Sequence, residues 1–358
     1  PQAQGKRTMS AIDFGRPTKI LRLFDGRVTM RVDMRVMALV AIMFAAALGV
    51  TLLALASGEY PVALPDVIAA LTGQADGRIH MVVVEWRLPR SLLAVILGAA
   101  LGMSGAVFQS LTRNPLGSPD VIGFNSGAYT GALIAIIVFS GNYYQIAGGA
   151  LLGGVLTALA VYALAWRRGV QGFRLIIVGI GMSAMLSSLN TWLMLRAKLE
   201  VAMAAAVWGA GSLNGLGLDK LWPTLVVLGV LMPLVLILGR PMKQLEMGDD
   251  AARALGIRAE PVRLALLVLG VALTATATAV AGPISFVALA APQIARRVTG
   301  AAGVALLPSA AMGALLLAVA DFLAQRVFAP TQLPVGVVTV SIGGLYFVWL
   351  LMREARRQ

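Results

Sequence analysis

LEMGDDAARALGI, residues 245–257, is a short charged segment held between two apolar runs, 221–239 and 264–294, that carry no charge at all. A bilayer core of ~30 Å takes about 20 apolar residues per helix, so both flanks read as membrane-spanning and the charged segment must emerge from the membrane between them. The fold question therefore becomes how many such spans the chain holds, and what an emergent charged helix is for.

The composition agrees with a membrane protein. Of 358 residues 59% are hydrophobic and 13% charged, against roughly 25% charged in soluble domains, and the mean hydropathy is +0.85. Charge-free stretches predict an all-α integral membrane protein of about ten helices, over 36–57, 91–112, 121–140, 146–166, 175–195, 221–239, 264–281, 283–295, 298–320 and 327–352. The seventh and eighth come from one run that is too long for a single span and is cut at Gly282-Pro283. The first run follows basic residues, but its 22 uncharged residues exceed the ~7–15 of a signal-peptide core, so it reads as a retained anchor.

The net charge of +13 does not point to nucleic acid, because the basic residues flank the apolar runs. With a cytoplasmic amino terminus and ten alternating spans, 22 of the 29 Lys and Arg fall on the cytoplasmic side, as orientation by positive charge requires. Both termini are then cytoplasmic. Residues 1–35 read as a basic tail near anionic lipid, with Ile20, Leu21, Leu23 and Phe24 touching the interface. Residues 58–90 read as a long outer loop, and about 196–220 as a second outer segment.

Glycines inside spans, as in GAALGMSGA from Gly98 and GGALLGG from Gly148, read as close helix packing. GAALGMSGAV from Gly98 and GVALTATATAV from Gly270 echo one another, as inverted repeats do, although shared composition is the alternative.

Several chemistries drop out. Zero cysteines remove disulfides and thiolate sites, and the one histidine, His80, reads as a solvated loop residue. No GxxxxGK[ST] loop is present, so the chain does not hold ATP in that manner. Only Asp120 and Asp321 of sixteen acids lie in or at the edge of a span, which disfavours an ion-coupled carrier. No nucleophile, base or metal-ligand cluster supports a membrane enzyme.

In the opening segment, Asp249 or Asp250 suits a helix start, Arg253 its last turn, and Gly256 the left-handed position just past its end. Leu245, Met247, Leu255 and Ile257 add apolar surface. The segment reads as a docking knob for a soluble partner, the alternative being a helix lying on lipid. In EWRLPR, Arg87 and Arg90 stand three apart at the start of a span, where they either snorkel or meet anions.

With these segments, RLPRSLLAVILGAALGMSGAVFQ, NPLGSPDVIGFNSGA, AGPISFVALAAPQIAR and QLPVGVVTVSIGG, the chain from 36 to 355 resembles the FecCD-type permeases of bacterial ABC importers for iron-siderophores and cobalamin. EWRLPR, SPDVIGFN, FRLIIVGIG, NTWL, AGSLNGL and LEMGDD resemble the members that carry ferric enterobactin. The resemblance implies a type II importer permease fold in the inner membrane. It implies a related second permease forming a heterodimer, two cytoplasmic ABC ATPases that bind ATP-Mg, and a periplasmic siderophore-binding protein. The chain itself would be non-catalytic and bind no cofactor or metal.

The resemblance also assigns residues. Loop 240–263 would carry the coupling helix, with Glu246, Gly248, Asp249, Asp250, Ala252, Arg253 and Gly256 contacting the ATPase. Arg87 and Arg90 would receive carboxylates of the binding protein. Some members have a further arginine where this chain has Gln325 followed by Arg326, so the third docking charge falls to Arg326. The usual histidine of the PHIAR segment is Gln293 here. The fifth span would line the pathway through Met182, Met185, Asn190, Thr191 and Trp192, with Asn190 first because an amide inside a span needs a partner. The expected cargo is ferric enterobactin or a related catecholate. Cobalamin, haem or a hydroxamate siderophore is the alternative within the family, and a stand-alone ion-coupled carrier the alternative outside it.

Overall fold

A computed structural model describes residues 18–23, 28–166, 172–301 and 303–355. Strands β1 (Thr18–Leu23) and β2 (Val28–Asp33) pair antiparallel, with Thr18 opposite Asp33 and Leu23 opposite Val28. The expected tail thus contains a hairpin. Phe24 and residues 1–17 lie outside the described residues. Asp33 then caps α1 (Met34–Ala56), its carboxylate accepting from the Arg35 and Val36 amides at 2.9 and 3.3 Å.

The expected outer loop is mostly helical. Helix α2 (Leu64–Leu71) has Pro65 in its first turn, and α3 (Gly77–His80) runs through a π-helical stretch, Met81–Arg87, into α4 (Leu88–Thr112). His80 lies within this continuous helical segment and not in a loop. Helices α5 (Phe124–Ile137), α6 (Tyr143–Ala165), α7 (Gly172–Arg196), α8 (Leu199–Gly209) and α9 (Leu218–Ile237) follow. Then come α10 (Gly239–Glu246), α11 (Asp249–Ala254), α12 (Ala259–Ala281), α13 (Val287–Thr299), α14 (Leu306–Arg326) and α15 (Val335–Ala355).

Among the described residues seven helical segments are long and apolar enough to cross a membrane: α1, the continuous 77–112 segment, α6, α7, α9, α12 and α14. Helices α5 and α13 have 14 and 13 residues, which at 1.5 Å per residue gives roughly 20 Å, short of the hydrocarbon thickness. The expected cut at Gly282-Pro283 is present. Gly282, at φ +73°, ends α12, and α13 begins only after Phe286.

Helix α4 is the most enclosed, with α12 and α14 antiparallel against it. A Cβ on Gly98 would lie 2.3 Å from the Gly313 carbonyl oxygen, and one on Gly102 would lie 2.1 Å from that of Ser309. Gly131 and Gly149 bring α5 and α6 equally close, with 2.0 Å from a Gly131 Cβ to the Gly149 oxygen. These glycines are backbone contacts, as the spacing of small residues predicts. Gly313→Val would drive a branched side chain into the α4 backbone, at a cost of about 1–3 kcal/mol or more. It should abolish recovery of folded, detergent-soluble protein, and a monodisperse variant at wild-type yield would contradict this packing.

The two echoing segments are neighbours. Ser104 Oγ of α4 donates to the Gly270 carbonyl of α12 and lies 2.7 Å from Thr274 Oγ1. Each long helix is followed by a break and a short helix that starts at a left-handed residue, Gly123 for α5 and Phe286 for α13.

Candidate functional site

Helix α11 stands at one end of the bundle. Gly248, at φ +115°, is its N-cap, so neither aspartate caps it; both lie in the first turn, with Arg253 in the last. Gly256 takes the expected left-handed conformation at φ +82°. The Asp249 carboxylate turns inward. Its Oδ1 accepts from Arg113 Nη2 at 2.9 Å and from Arg263 Nη2 at 2.8 Å. Arg113 follows α4 and also donates to the Leu245 carbonyl at 2.7 Å, while Arg263, on α12, also holds Glu260 at 2.8 Å. Burial alone would raise the Asp249 pKa, but the two guanidiniums outweigh it and hold the carboxyl below its ordinary range.

One carboxylate thus fixes α11 to α4 and α12 together. Ala252 is fully buried beneath the helix, whereas Met247, Asp250, Arg253 and Leu255 are exposed. Asp250 and Arg253 approach only to 3.6 Å in water, a contact worth little by itself. The expected coupling set therefore divides. Asp249 and Ala252 seat the helix, Gly248 and Gly256 shape its ends, and Asp250 and Arg253 face outward. Glu246 closes α10 with one carboxylate oxygen, Oε1, buried and without a hydrogen-bond partner among the described residues.

Twenty-five residues away, at the other end of α4, the three arginines expected to dock a partner have different fates. Arg90 donates through Nε and Nη2 to Asp321 of α14, at 3.1 and 2.9 Å, and through Nη1 to Gln332 at 2.7 Å. The Arg90 and Asp321 side chains are 11% and 3% exposed, so this charge is neutralised inside the chain and is not free for a partner. Gln325 also turns inward, donating to Asp321 Oδ2 at 2.7 Å. Arg326, one residue on and so rotated by ~100°, is partly exposed. Arg87 donates to the Leu55 and Tyr60 carbonyls at 2.7 and 2.6 Å. Carbonyls orient a guanidinium without neutralising it, so Arg87 keeps its charge beside a cavity of about 590 Å³, and no carboxylate among the described residues pairs with Arg326.

Helix α7 presents much of its surface outside the chain. Met185 and Trp192 are exposed, Thr191 is exposed with its hydroxyl bonded to the Ser187 carbonyl, and Met182 is partly buried against Phe108 and Ile122. Asn190 departs from expectation. It is buried at 7%, its Oδ1 accepting from Thr130 Oγ1 of α5 at 2.7 Å, so its amide finds its partner within the subunit. Gln293, in place of the histidine, donates to the Pro115 carbonyl at 2.8 Å and holds the loop after α4. Among the described residues no three His, Asp or Glu side chains gather as a metal site.

The residues that composition could not flag are Arg113, Arg263 and the pairing of Asp321. The only local sign was Glu260-Arg263 at helical spacing.

The model of the FecCD transport family matches residues 37–353. The chain is 54% identical over 304 residues, 85% of its length and 92% of the relative's, to the ferric enterobactin transport system permease protein FepG of Escherichia coli (strain K12). It is 37% identical over 290 residues, 78% of its length and 86% of the relative's, to the iron(3+)-hydroxamate import system permease protein FhuG of Bacillus subtilis (strain 168). A solved metal-chelate type ABC transporter in an inward-facing conformation superposes with a TM-score of 0.79 at 27% identity, covering 88% of this chain and 99% of that one. Seven apolar helical segments and a family match across nearly the whole chain make this a multi-pass membrane protein, and it belongs to the FecCD transport family.

Proposed function

We propose that the chain is the permease subunit of an ABC importer that carries a ferric siderophore, ferric enterobactin or a related catecholate, across the bacterial inner membrane. The observation that carries this reading is the 54% identity to a ferric enterobactin permease across 85% of the chain. The clamped helix α11 supports it physically, since a rigidly seated helix with an exposed apolar and charged face is what a mechanical coupling element needs. In this reading the short α5 and α13, together with α15, join the seven long segments as ten spans, and both termini are cytoplasmic. Two ATPase subunits that bind ATP-Mg grip Met247, Asp250, Arg253 and Leu255, and their closure moves α4 and α12 through Asp249. The chain pairs with a related permease, and α7 borders the pathway through Met185, Thr191 and Trp192.

A periplasmic binding protein delivers the cargo, its carboxylates meeting Arg87 and Arg326, which no carboxylate among the described residues neutralises. Arg326→Glu should then raise the half-saturating concentration of binding protein about tenfold by turning attraction into repulsion. An unchanged value removes Arg326 from the docking surface. The cargo is tested by uptake of radiolabelled ferric enterobactin in cells lacking this chain, with and without the gene restored, beside ferrichrome and cobalamin. Selective loss and rescue of enterobactin uptake supports the assignment, while loss of ferrichrome uptake alone would move it to the hydroxamates.

A further inference from the structure

The two helix breaks noted above meet each other, and a single carboxylate joins them. Asp120, in the loop between α4 and α5, accepts from Asn125 Nδ2 of α5 at 2.6 Å through Oδ1 and from the Phe286 amide at 3.1 Å through Oδ2. Asn125 in turn accepts from Thr278 Oγ1 of α12 at 3.3 Å. Phe286 sits at φ +69°, a region that bulky side chains rarely adopt and that persists only where the surroundings impose it. The Asp120 oxygen on its amide is one such constraint.

Each break also seats a helix with much surface outside the chain. On one side a Cβ at Gly179 of α7 would come within 2.5 Å of the Ile122 oxygen, and one at Gly123 within 3.0 Å of the Gly179 oxygen. On the other, a Cβ at Gly343 of α15 would lie 2.3 Å from the Phe286 Cβ. Ser183 Oγ, buried in the α7 seat, has no hydrogen-bond partner among the described residues. The Thr130 hydroxyl of α5 bonded to Asn190 of α7 at 2.7 Å ties α7 further to the helix that follows the first break.

We infer that Asp120 is a positioning residue for transport: its carboxylate ties the two breaks into one body, so that α7 and α15, seated on them, change position together. The inference rests on the transport reading above. Without the carboxylate, Phe286 is free to leave its strained conformation and α15 loses its register relative to α7.

The chain has no cysteine, so spin labels can be placed at Ile180→Cys on α7 and Leu345→Cys on α15, both exposed. Distances between them are measured in the assembled complex with and without ATP, and ferric enterobactin uptake is measured beside them. In the parent the distance should hold one narrow distribution in each state. Asp120→Asn should broaden it and cut the maximal uptake rate about tenfold, because one of its two accepting oxygens becomes a donor facing another donor, with the half-saturating concentration changed less than twofold. The exchange of both groups, D120N with N125D, restores an amide facing a carboxylate and should narrow the distribution again, which a variant that merely misfolds would not do. Narrow distances and parental uptake in D120N would overturn the inference. Parental uptake that does not depend on ATP would instead count against the importer reading itself.

Discussion

Asp249→Ala should lower ATP-driven uptake roughly thirtyfold while leaving ATP hydrolysis by the assembled complex largely intact. The carboxylate is shared by Arg113 and Arg263, and the Arg263 side chain is only 7% exposed. Removing one partner of a buried pair costs about 3–5 kcal/mol, less here because Glu260 still neutralises Arg263. Asp249 is 35% exposed, so water offsets part of this and about 2 kcal/mol remains. That is enough to release α11 from its seat for most of the cycle, but the exposed face with Asp250, Arg253, Met247 and Leu255 survives to hold the ATPase. Hydrolysis and uptake measured on one preparation separate the outcomes. Equal losses in both would make Asp249 an assembly contact, and no loss in either would remove the clamp.

The same carboxylate sets a pH expectation. Its folded pKa lies below the ordinary carboxylate value, so its contribution is complete above ~3.9 and is lost only as pH falls through the lowered folded value. Coupling should therefore not vary through this group between pH 6 and 8.

Arg90→Ala should act on stability before it acts on docking. It strands Asp321, 3% exposed, against a helix interface, and a broken buried pair costs about 3–5 kcal/mol. Thermal unfolding of the purified protein should shift down by several degrees or more, with poor yield. The paired variant Arg90→Leu with Asp321→Leu removes both charges and should recover most of the lost stability. If the single variant melted like the parent and only weakened binding-protein affinity, Arg90 would be a docking residue after all.

Much of the fold was legible because lipid tolerates few alternatives. Uncharged runs of about 20 residues marked most of the long helices, Gly282-Pro283 marked the break after α12, and Gly256 marked the end of α11. The errors have a common cause. Absence of charge places the ninth span at 298–320, whereas α14 runs Leu306–Arg326 and takes in Asp321, which Arg90 neutralises across 231 positions. Asn190 was placed on the pathway because its partner, Thr130, lies 60 residues away. The division of the coupling loop into a seating face and an exposed face likewise depends on Arg113 and Arg263, which nothing local in the sequence ties to Asp249.

The most direct measurement is ferric enterobactin uptake into proteoliposomes that contain this chain with its partner permease and ATPase, with loaded binding protein outside and ATP-Mg supplied to the ATPase side. Uptake that requires ATP and binding protein, and persists when an ionophore collapses the ion gradients, is the predicted result. Uptake that survives without ATP or the ATPase and stops with the ionophore would contradict it and make the chain a stand-alone ion-coupled carrier.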